Sequence, residues 1–246
     1  MWALVPLFFF TALTYSMAGF GGGSTYLALL VLFDVPADSV RSIALLCNLA
    51  VVSFGAWQFA RAGHLHVDKV LPFIVSSIPM AYFGGTLGIS KFVFTLLLGI
   101  SLAVAASRML WLGKPIEPKT GIRPQTYWIV GLPVGALLGF LAGLVGIGGG
   151  IYLAPILLLL GWTDAKQTAA AASFFILVNS LAGLAGQATK GFSFDATFVI
   201  QLLIAAVLGG QIGSRLGALS LPKIAVQRVS GLLILLVSCR LLWDLM

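Results

Sequence analysis

The chain contains the same glycine-rich phrase twice, as Gly19-Phe20-Gly21-Gly22-Gly23 near its start and as Gly146-Ile147-Gly148-Gly149-Gly150 just past its middle. Apolar residues flank each copy, so a helix would otherwise continue through it. Each glycine weakens a helix by up to about 1 kcal/mol relative to alanine and contributes no side-chain packing. We therefore predict that each phrase interrupts an apolar helix.

The composition is that of a membrane protein. Of the 246 residues, 60% are hydrophobic and 9% are charged, whereas a typical soluble domain has about 25% charged residues. Apolar runs long enough to cross a hydrocarbon core, about 20 helical residues, occur along almost the whole chain. These features predict an all-α polytopic membrane protein with no soluble domain. The Lys and Arg residues are scattered over short loops, which indicates topology signals and argues against a nucleic-acid surface.

Apolar segments follow the same order in both halves of the chain. We expect them at about 2–18, 24–33, 39–60, 70–89, 92–111, 127–145, 151–160, 165–188, 195–214 and 224–243. The polar linker divides one transmembrane domain, 1–246, into a first repeat (1–112), the linker itself (113–126) and a second repeat (127–246). Further matches support two homologous repeats: 84–88 corresponds to 209–213, and 108–111 corresponds to 240–243.

The distribution of positive charge depends on whether the first apolar stretch of each repeat folds back at its glycines. If each stretch is one continuous span, the repeats are parallel, and the 14 Lys and Arg residues divide 8 to 6 between the two sides. If each stretch folds back, the repeats are inverted and the division is 10 to 4. Because cytoplasmic loops carry the excess of Lys and Arg, the second division favours inverted repeats, a cytoplasmic linker and both termini outside.

The glycine phrases also have a chemical use. Broken helices between inverted repeats are a recurring plan for secondary transporters, which hold the substrate near the membrane midplane. The N–H groups at the starts of half-helices near 24–33 and 151–160 would form a partly positive site for a small anion. Close helix packing is the alternative use of such glycines. Their duplication at matched positions favours a site.

With Pro155 shortly after the second phrase and an alanine-rich helix following, the chain resembles the TauE/SafE family of sulfite exporters over essentially its whole length. The resemblance implies transport of small sulfur-containing anions, such as sulfite, sulfonates or sulfoacetate, by a multi-pass protein of the bacterial inner membrane. The two halves are not equivalent at this position, because the first half has Ala28 where the second half has Pro155. The doubled phrase identifies the family and leaves the substrate open.

Polar residues within apolar segments are costly and tend to face a bundle interior or a pathway. Asn48 and Asn179 lie in corresponding helices, where each amide would either donate to an oxyanion or satisfy the broken backbone nearby. The hydroxyls beside the glycines would either cap the half-helices or touch the substrate. The candidate substrate-binding residues are Gly21, Gly22, Gly23, Ser24, Thr25, Asn48, Gly148, Gly149, Gly150, Tyr152, Ser173 and Asn179.

Two histidines and an acidic residue lie outside the apolar segments. His64 and His66 share a loop with charged residues, so we expect a solvated loop, with proton coupling as the alternative. Asp164 precedes a helix and is expected to cap it. Ser24 together with these histidines is faintly similar to the serine and histidine of an intramembrane serine hydrolase. The chain contains no Gly-x-Ser-Gly sequence, so we expect no enzyme.

The expected partners follow from this interpretation. They are a small anionic substrate and the lipid bilayer, with no nucleic acid, cofactor or metal, and a homodimer is the candidate assembly. An anion channel is the alternative to a carrier, because both need the same polar pathway through the membrane.

Overall fold

A computed structural model of the chain describes residues 3–86, 103, 106–107, 110–111, 117–119, 121–145, 148–188 and 196–243. Within these residues every regular element is a helix and none is a strand, which confirms the predicted all-α class. The expected segment 92–111 falls largely outside the described residues. So do Gly88, Arg108, Gly146 and Ile147.

The helices fall into two similar series. The first half contains α1 (Leu4–Met17), α2 (Gly23–Leu32), α3 (Ala37–Arg61) and α4 (Val67–Thr86). The second half contains α5 (Pro124–Val145), α6 (Gly150–Leu160), α7 (Ala165–Ala188), α8 (Ala196–Arg215), a π-helical turn (Leu216–Ser220) and α9 (Lys223–Trp243). The helix boundaries in both halves lie within about three residues of the expected segments.

Four described helical stretches are long and apolar enough to cross a membrane. They are Ser39–Arg61, Pro124–Leu144, Ala165–Ala188 and Ala196–Ser220. The helices Leu4–Met17 and Gly150–Leu160 are apolar but shorter. The chain is therefore a polytopic helical membrane protein.

Helices from opposite halves make the main contacts. The most extensive ones join α4 to α5 and α1 to α8, and α3 packs against both α7 and α8. Glycines allow the close approach of α8 to α1, because a Cβ atom at Gly209 or Gly213 would fall on the carbonyl oxygen of Phe9 or Leu13. Since both residue numbers rise together along the contact, α1 and α8 run parallel.

The central helices α3 and α7 run antiparallel. Near the start of α3, the Ser42 hydroxyl donates to Gln187 Oε1 near the end of α7, at 3.0 Å. Near the end of α3, Phe59 is buried in one cluster with Ala165 and Ala169 at the start of α7. These two contacts fix the direction and the register of the pair.

Each short helix turns back along the helix that precedes it. In the first half, Phe8 of α1 stacks on Tyr26 of α2 with ring centroids 4.4 Å apart. In the second half, Trp162, just after α6, contacts Tyr127 near the start of α5 with centroids 4.7 Å apart. Both hairpins therefore bring a helix start, Gly23 or Gly150, into the interior.

One end of the helix bundle collects several loops. The Lys69 ammonium donates to the Trp162 carbonyl at 2.8 Å, and the Lys119 N–H donates to Gly161 O at 2.8 Å. The Lys223 ammonium lies 3.0 Å from Asp164 Oδ2. We call this end the linker face. The α5–α6 hairpin begins and ends there, whereas α2 ends at the opposite end, where α3 begins.

Candidate functional site

The first glycine segment, Gly19–Gly23, ends α1 and starts α2. Gly19 has φ 77° and Gly22 has φ 86°, and this left-handed region is accessible to glycine without steric cost. The Gly19 and Phe20 N–H groups donate to carbonyls of the last turn of α1, at 3.0 and 2.9 Å. This is a Schellman termination, and it explains why α1 stops here within an apolar stretch.

The start of α2 follows directly. The Gly22 carbonyl accepts from the N–H groups of Thr25 and Tyr26, both at 3.0 Å. The first N–H groups of any helix have no acceptor within the helix, and they carry the positive end of the helix dipole. The structure places this end in the protein interior, at Gly23.

The second glycine segment is described for Gly148–Gly150 and also has a left-handed glycine directly before its helix start, although Gly148 is left-handed and its counterpart Gly21 is not. Gly148 and Gly149 have φ 79° and 75°. The Gly149 carbonyl accepts from Tyr152 and Leu153 at 3.1 and 3.3 Å, and no side chain caps the helix that begins at Gly150. A second helix start therefore also lies in the interior.

Asn48 contacts both segments. It lies midway along α3 and is 0% exposed. A Cβ atom on Gly21 would fall on the Asn48 side chain, and a Cβ atom on Gly148 would lie 2.7 Å from Asn48 Nδ2. The amide also donates to Ser180 Oγ of α7 at 3.2 Å. Asn48 thus connects the two glycine segments with α7.

A small cavity lies where these elements meet. It is lined by Tyr15, Phe20, Gly21, Gly22, Gly23, Ser24, Asn48, Ile151 and Ile176. Its volume is about 10 Å³, roughly the room for one water molecule. All of the described lining residues are uncharged, so the helix starts and the Asn48 amide set the local electrostatics.

The other predicted residues fall into two groups. Ser24 lines the cavity, and the Ser173 hydroxyl donates to the Gly19 carbonyl at 3.0 Å, so both lie at the first segment. Asn179 Nδ2 instead donates to Phe175 O of its own helix at 2.8 Å. Tyr152 is buried in the hydrophobic core.

Thr25 contacts the preceding helix. Its hydroxyl donates to the Tyr15 hydroxyl at 2.8 Å, because α2 runs back along α1 and brings Thr25 against Tyr15. The Tyr15 ring itself reaches the cavity.

Sequence reasoning missed Ser180 and Ile176. Both are buried and lie on α7 beside the second segment. Ser180 carries the same signal that selected Asn179, a polar residue within an apolar helix. The antiparallel register of α3 and α7 decides which of these two neighbours meets Asn48.

The histidine loop is partly exposed, and both histidines contact neighbouring elements. His64 Nε2 donates to the Ala218 carbonyl at 3.3 Å, and His66 Nε2 accepts from Gln167 Nε2 at 3.1 Å. Burial lowers the pKa of His64, against the opposing effect of its bond to Ala218. Both histidines therefore join loops at the linker face.

The predicted cap at Asp164 is confirmed. Its Oδ1 atom accepts from the Gln167 N–H at 2.9 Å, and Gln167 Oε1 accepts from the Asp164 N–H at 3.3 Å. This reciprocal pair is a capping box at the start of α7.

Comparisons with known proteins agree with this architecture. The family model described as "Sulfite exporter TauE/SafE" matches residues 4–241. The "Probable membrane transporter protein y4hK" of Sinorhizobium fredii (strain NBRC 101917 / NGR234) is 32% identical over 241 residues, which cover 98% of this chain and 97% of the relative. The "Probable membrane transporter protein YunE" of Bacillus subtilis (strain 168) is 28% identical over 124 residues, which cover 49% of this chain and 45% of that protein. No solved structure matches the chain significantly.

The helical membrane fold and these relatives define the class of the protein as a membrane transporter. The chain belongs to the sulfite exporter TauE/SafE family.

Proposed function

We propose that the protein is a secondary carrier or facilitator for a small sulfur-containing anion, such as sulfite, a sulfonate or sulfoacetate, and that it binds this anion between the two glycine segments. The observation that carries the proposal is one buried cavity with uncharged walls, lined by the start of α2, by the Asn48 amide and by Ile151, the second residue of α6. Helix starts and amide N–H groups favour an anion. The sulfur chemistry rests on the description of the family.

The repeats are inverted in this proposal. Its support is the direction of corresponding helices, since α3 and α7 follow the two glycine segments and run antiparallel. In the same correspondence α1 matches α5 and α8 matches α4. The contact between α1 and α8 is therefore repeated as the contact between α5 and α4. Inverted repeats would present the two helix starts to the substrate from opposite sides of the membrane.

The linker face is cytoplasmic in this proposal, in the bacterial inner membrane. Lys69, Lys119, Lys166 and Lys223 lie together at this face, and cytoplasmic loops carry the excess of positive residues. A reporter fused after Met246 should then read outside, and one inserted near Thr120 should read inside. If both reporters were found on the same side, the parallel arrangement of the repeats would be favoured instead.

The size of the cavity favours a carrier over an open anion channel. About 10 Å³ holds roughly one water molecule, so an oxyanion enters only if the surrounding helices move apart. Alternating access supplies such a movement, as one repeat rocks against the other around a fixed site.

The decisive experiment is anion flux in proteoliposomes. Gly22→Leu and Gly149→Leu place a side chain where the backbone must be left-handed and where neighbouring atoms lie about 3 Å away, so flux should be abolished. Gly63→Leu is the matched control, because Gly63 has φ 78° and no described atom within 4 Å of its Cβ position. Undiminished flux in folded, membrane-inserted Gly22→Leu and Gly149→Leu would overturn the site.

A further inference from the structure

A second cavity opens on the outer surface of the bundle near the linker face. It lies between the end of α3, the end of α8 and the π-helical turn, and its volume is about 660 Å³. The lining residues that matter here are Trp57, Gln58, Arg61, Gln211, Arg215 and Leu219. We call it the arginine groove.

The groove is positively charged and has no acidic wall. Arg61 and Arg215 are its charged lining residues, and neither guanidinium pairs with a carboxylate among the described residues. The guanidinium of Arg61 lies 5.3 Å from the centre of the Trp57 ring, which holds it by a cation–π contact. Two guanidinium groups and two amides present fork-shaped donors that match the oxygens of a phosphate.

The groove faces away from the glycine segments. Trp57 follows Asn48 by nine positions on α3, which is about two and a half helical turns. Asn48 points into the protein, so the Trp57 side of α3 faces outward, and Trp57 is 53% exposed. An anion in the groove is therefore separated from the transport cavity by the body of α3.

The ends of α3 and α8 at the groove carry the residue types that are typical of the boundary between hydrocarbon and headgroups. Arg61 and Arg215 are the last residues of α3 and α8, and the exposed Trp57 and Leu219 flank them. Tryptophan and basic residues at helix ends mark this interface. Basic pockets between membrane helices on the cytoplasmic side bind phospholipid headgroups.

We propose that the arginine groove binds the phosphodiester headgroup of an anionic phospholipid. Arg61 and Arg215 contact the phosphate oxygens, Gln58 and Gln211 contact the remaining polar groups of the head, and Trp57 and Leu219 border the first part of an acyl chain. The groove is a binding site for lipid and stands apart from the proposed substrate site, so either can fail without the other.

The test is lipid binding to the delipidated full-length protein in detergent, measured by native mass spectrometry. Phosphatidylglycerol should bind the wild type about tenfold or more tightly than phosphatidylcholine, because both carry the phosphodiester but the choline of the second adds a positive charge beside the two guanidinium groups. Arg61→Gln/Arg215→Gln should lose that preference. Arg228→Gln is the matched control. Arg228 is an exposed arginine near the start of α9, outside the groove, and this variant should keep the preference.

Three results would overturn the proposal. One is equal binding of the two lipids by the wild type, which needs no variant to fold. Another is an unchanged preference in the double variant. The third is arginine-dependent binding of inorganic phosphate or sulfite with no lipid preference, which would make the groove a site for free oxyanions.

Discussion

The two glycine segments share a left-handed glycine directly before the helix start, Gly22 or Gly149, and differ at the preceding glycine and in what surrounds them. Both place left-handed glycines before a helix start, and both touch Asn48. The first segment has polar neighbours, since the Ser173 hydroxyl binds the Gly19 carbonyl. The second has Ala142 and the Phe175 ring around 3 Å from a Cβ atom at Gly149, and the Ser180 hydroxyl 2.8 Å from a Cβ atom at Gly148.

The difference shows that one half supplies the amide for both segments. Asn48 reaches across to the second segment, whereas Asn179 binds its own helix backbone. In the proposed account the segments form a single asymmetric site, with the bridging amide from Asn48 of α3 and the hydroxyls of Ser173 and Ser180 from α7.

Among the side chains around the segments, the largest effect is expected at Asn48. Asn48→Ala should reduce anion flux in proteoliposomes by about 10- to 100-fold, because a hydrogen bond to a charged group contributes about 1.5–3 kcal/mol. Asn179→Ala removes an equally buried amide and should change flux by less than about threefold. Equal losses in the two variants would mean that the asymmetry has no functional meaning.

The next largest effect is a loss of stability on substitution of Gly149 in the second segment. Gly149→Ala and Gly63→Ala force alanine into the same left-handed region, at a cost of about 1–2 kcal/mol. A Cβ atom at Gly149 would also lie 2.9 Å from Ala142 Cβ, whereas Gly63 has open space. We expect Gly149→Ala to be less stable than Gly63→Ala by about 1–3 kcal/mol, measured by thermal unfolding in detergent. Similar unfolding midpoints would show that the second segment is loosely packed.

Ser180 tests how Asn48 is positioned. Ser180→Ala removes the acceptor of the Asn48 amide and should lower flux about fivefold, the equivalent of about 1 kcal/mol for one hydrogen bond. Ser77→Ala is the control, since Ser77 is also fully buried but donates to Ile74 of its own helix. A loss of flux in Ser77→Ala as large as in Ser180→Ala would point to general loosening of the fold.

The smallest expected effect is a pH dependence of stability at His64, which lies at the linker face and not at the glycine segments. Burial lowers the folded-state pKa of His64, so its neutral form is favoured on folding. The contribution of neutral His64 to the free energy of unfolding is fully present above the unfolded-state pKa of about 6.5. This contribution is lost as the pH falls from there toward the folded-state pKa. Unfolding midpoints of the wild type should therefore fall more steeply below about pH 6.5 than those of His64→Gln. Identical profiles would contradict this origin.

Local features of the sequence were enough to predict the helix breaks and not the contacts across them. The glycine phrases fix the helix starts at Gly23 and Gly150, because glycine conformation and helix propensity act within a few residues. The expectations for Thr25 and Asn179 depended on which helix each residue meets. That is decided by the α1–α2 hairpin and by the register of α3 against α7, which contacts such as Ser42 with Gln187 establish at a separation of 145 residues.

The central claim is that two glycine segments form one anion site. The most direct measurement is the stoichiometry of binding of a radiolabelled anion to purified protein, using whichever of sulfite, sulfate, thiosulfate or a short sulfonate most raises the thermal unfolding midpoint. We predict one anion per wild-type chain and no binding in either Gly22→Leu or Gly149→Leu. Two anions per chain, with one retained in each folded variant, would contradict the account.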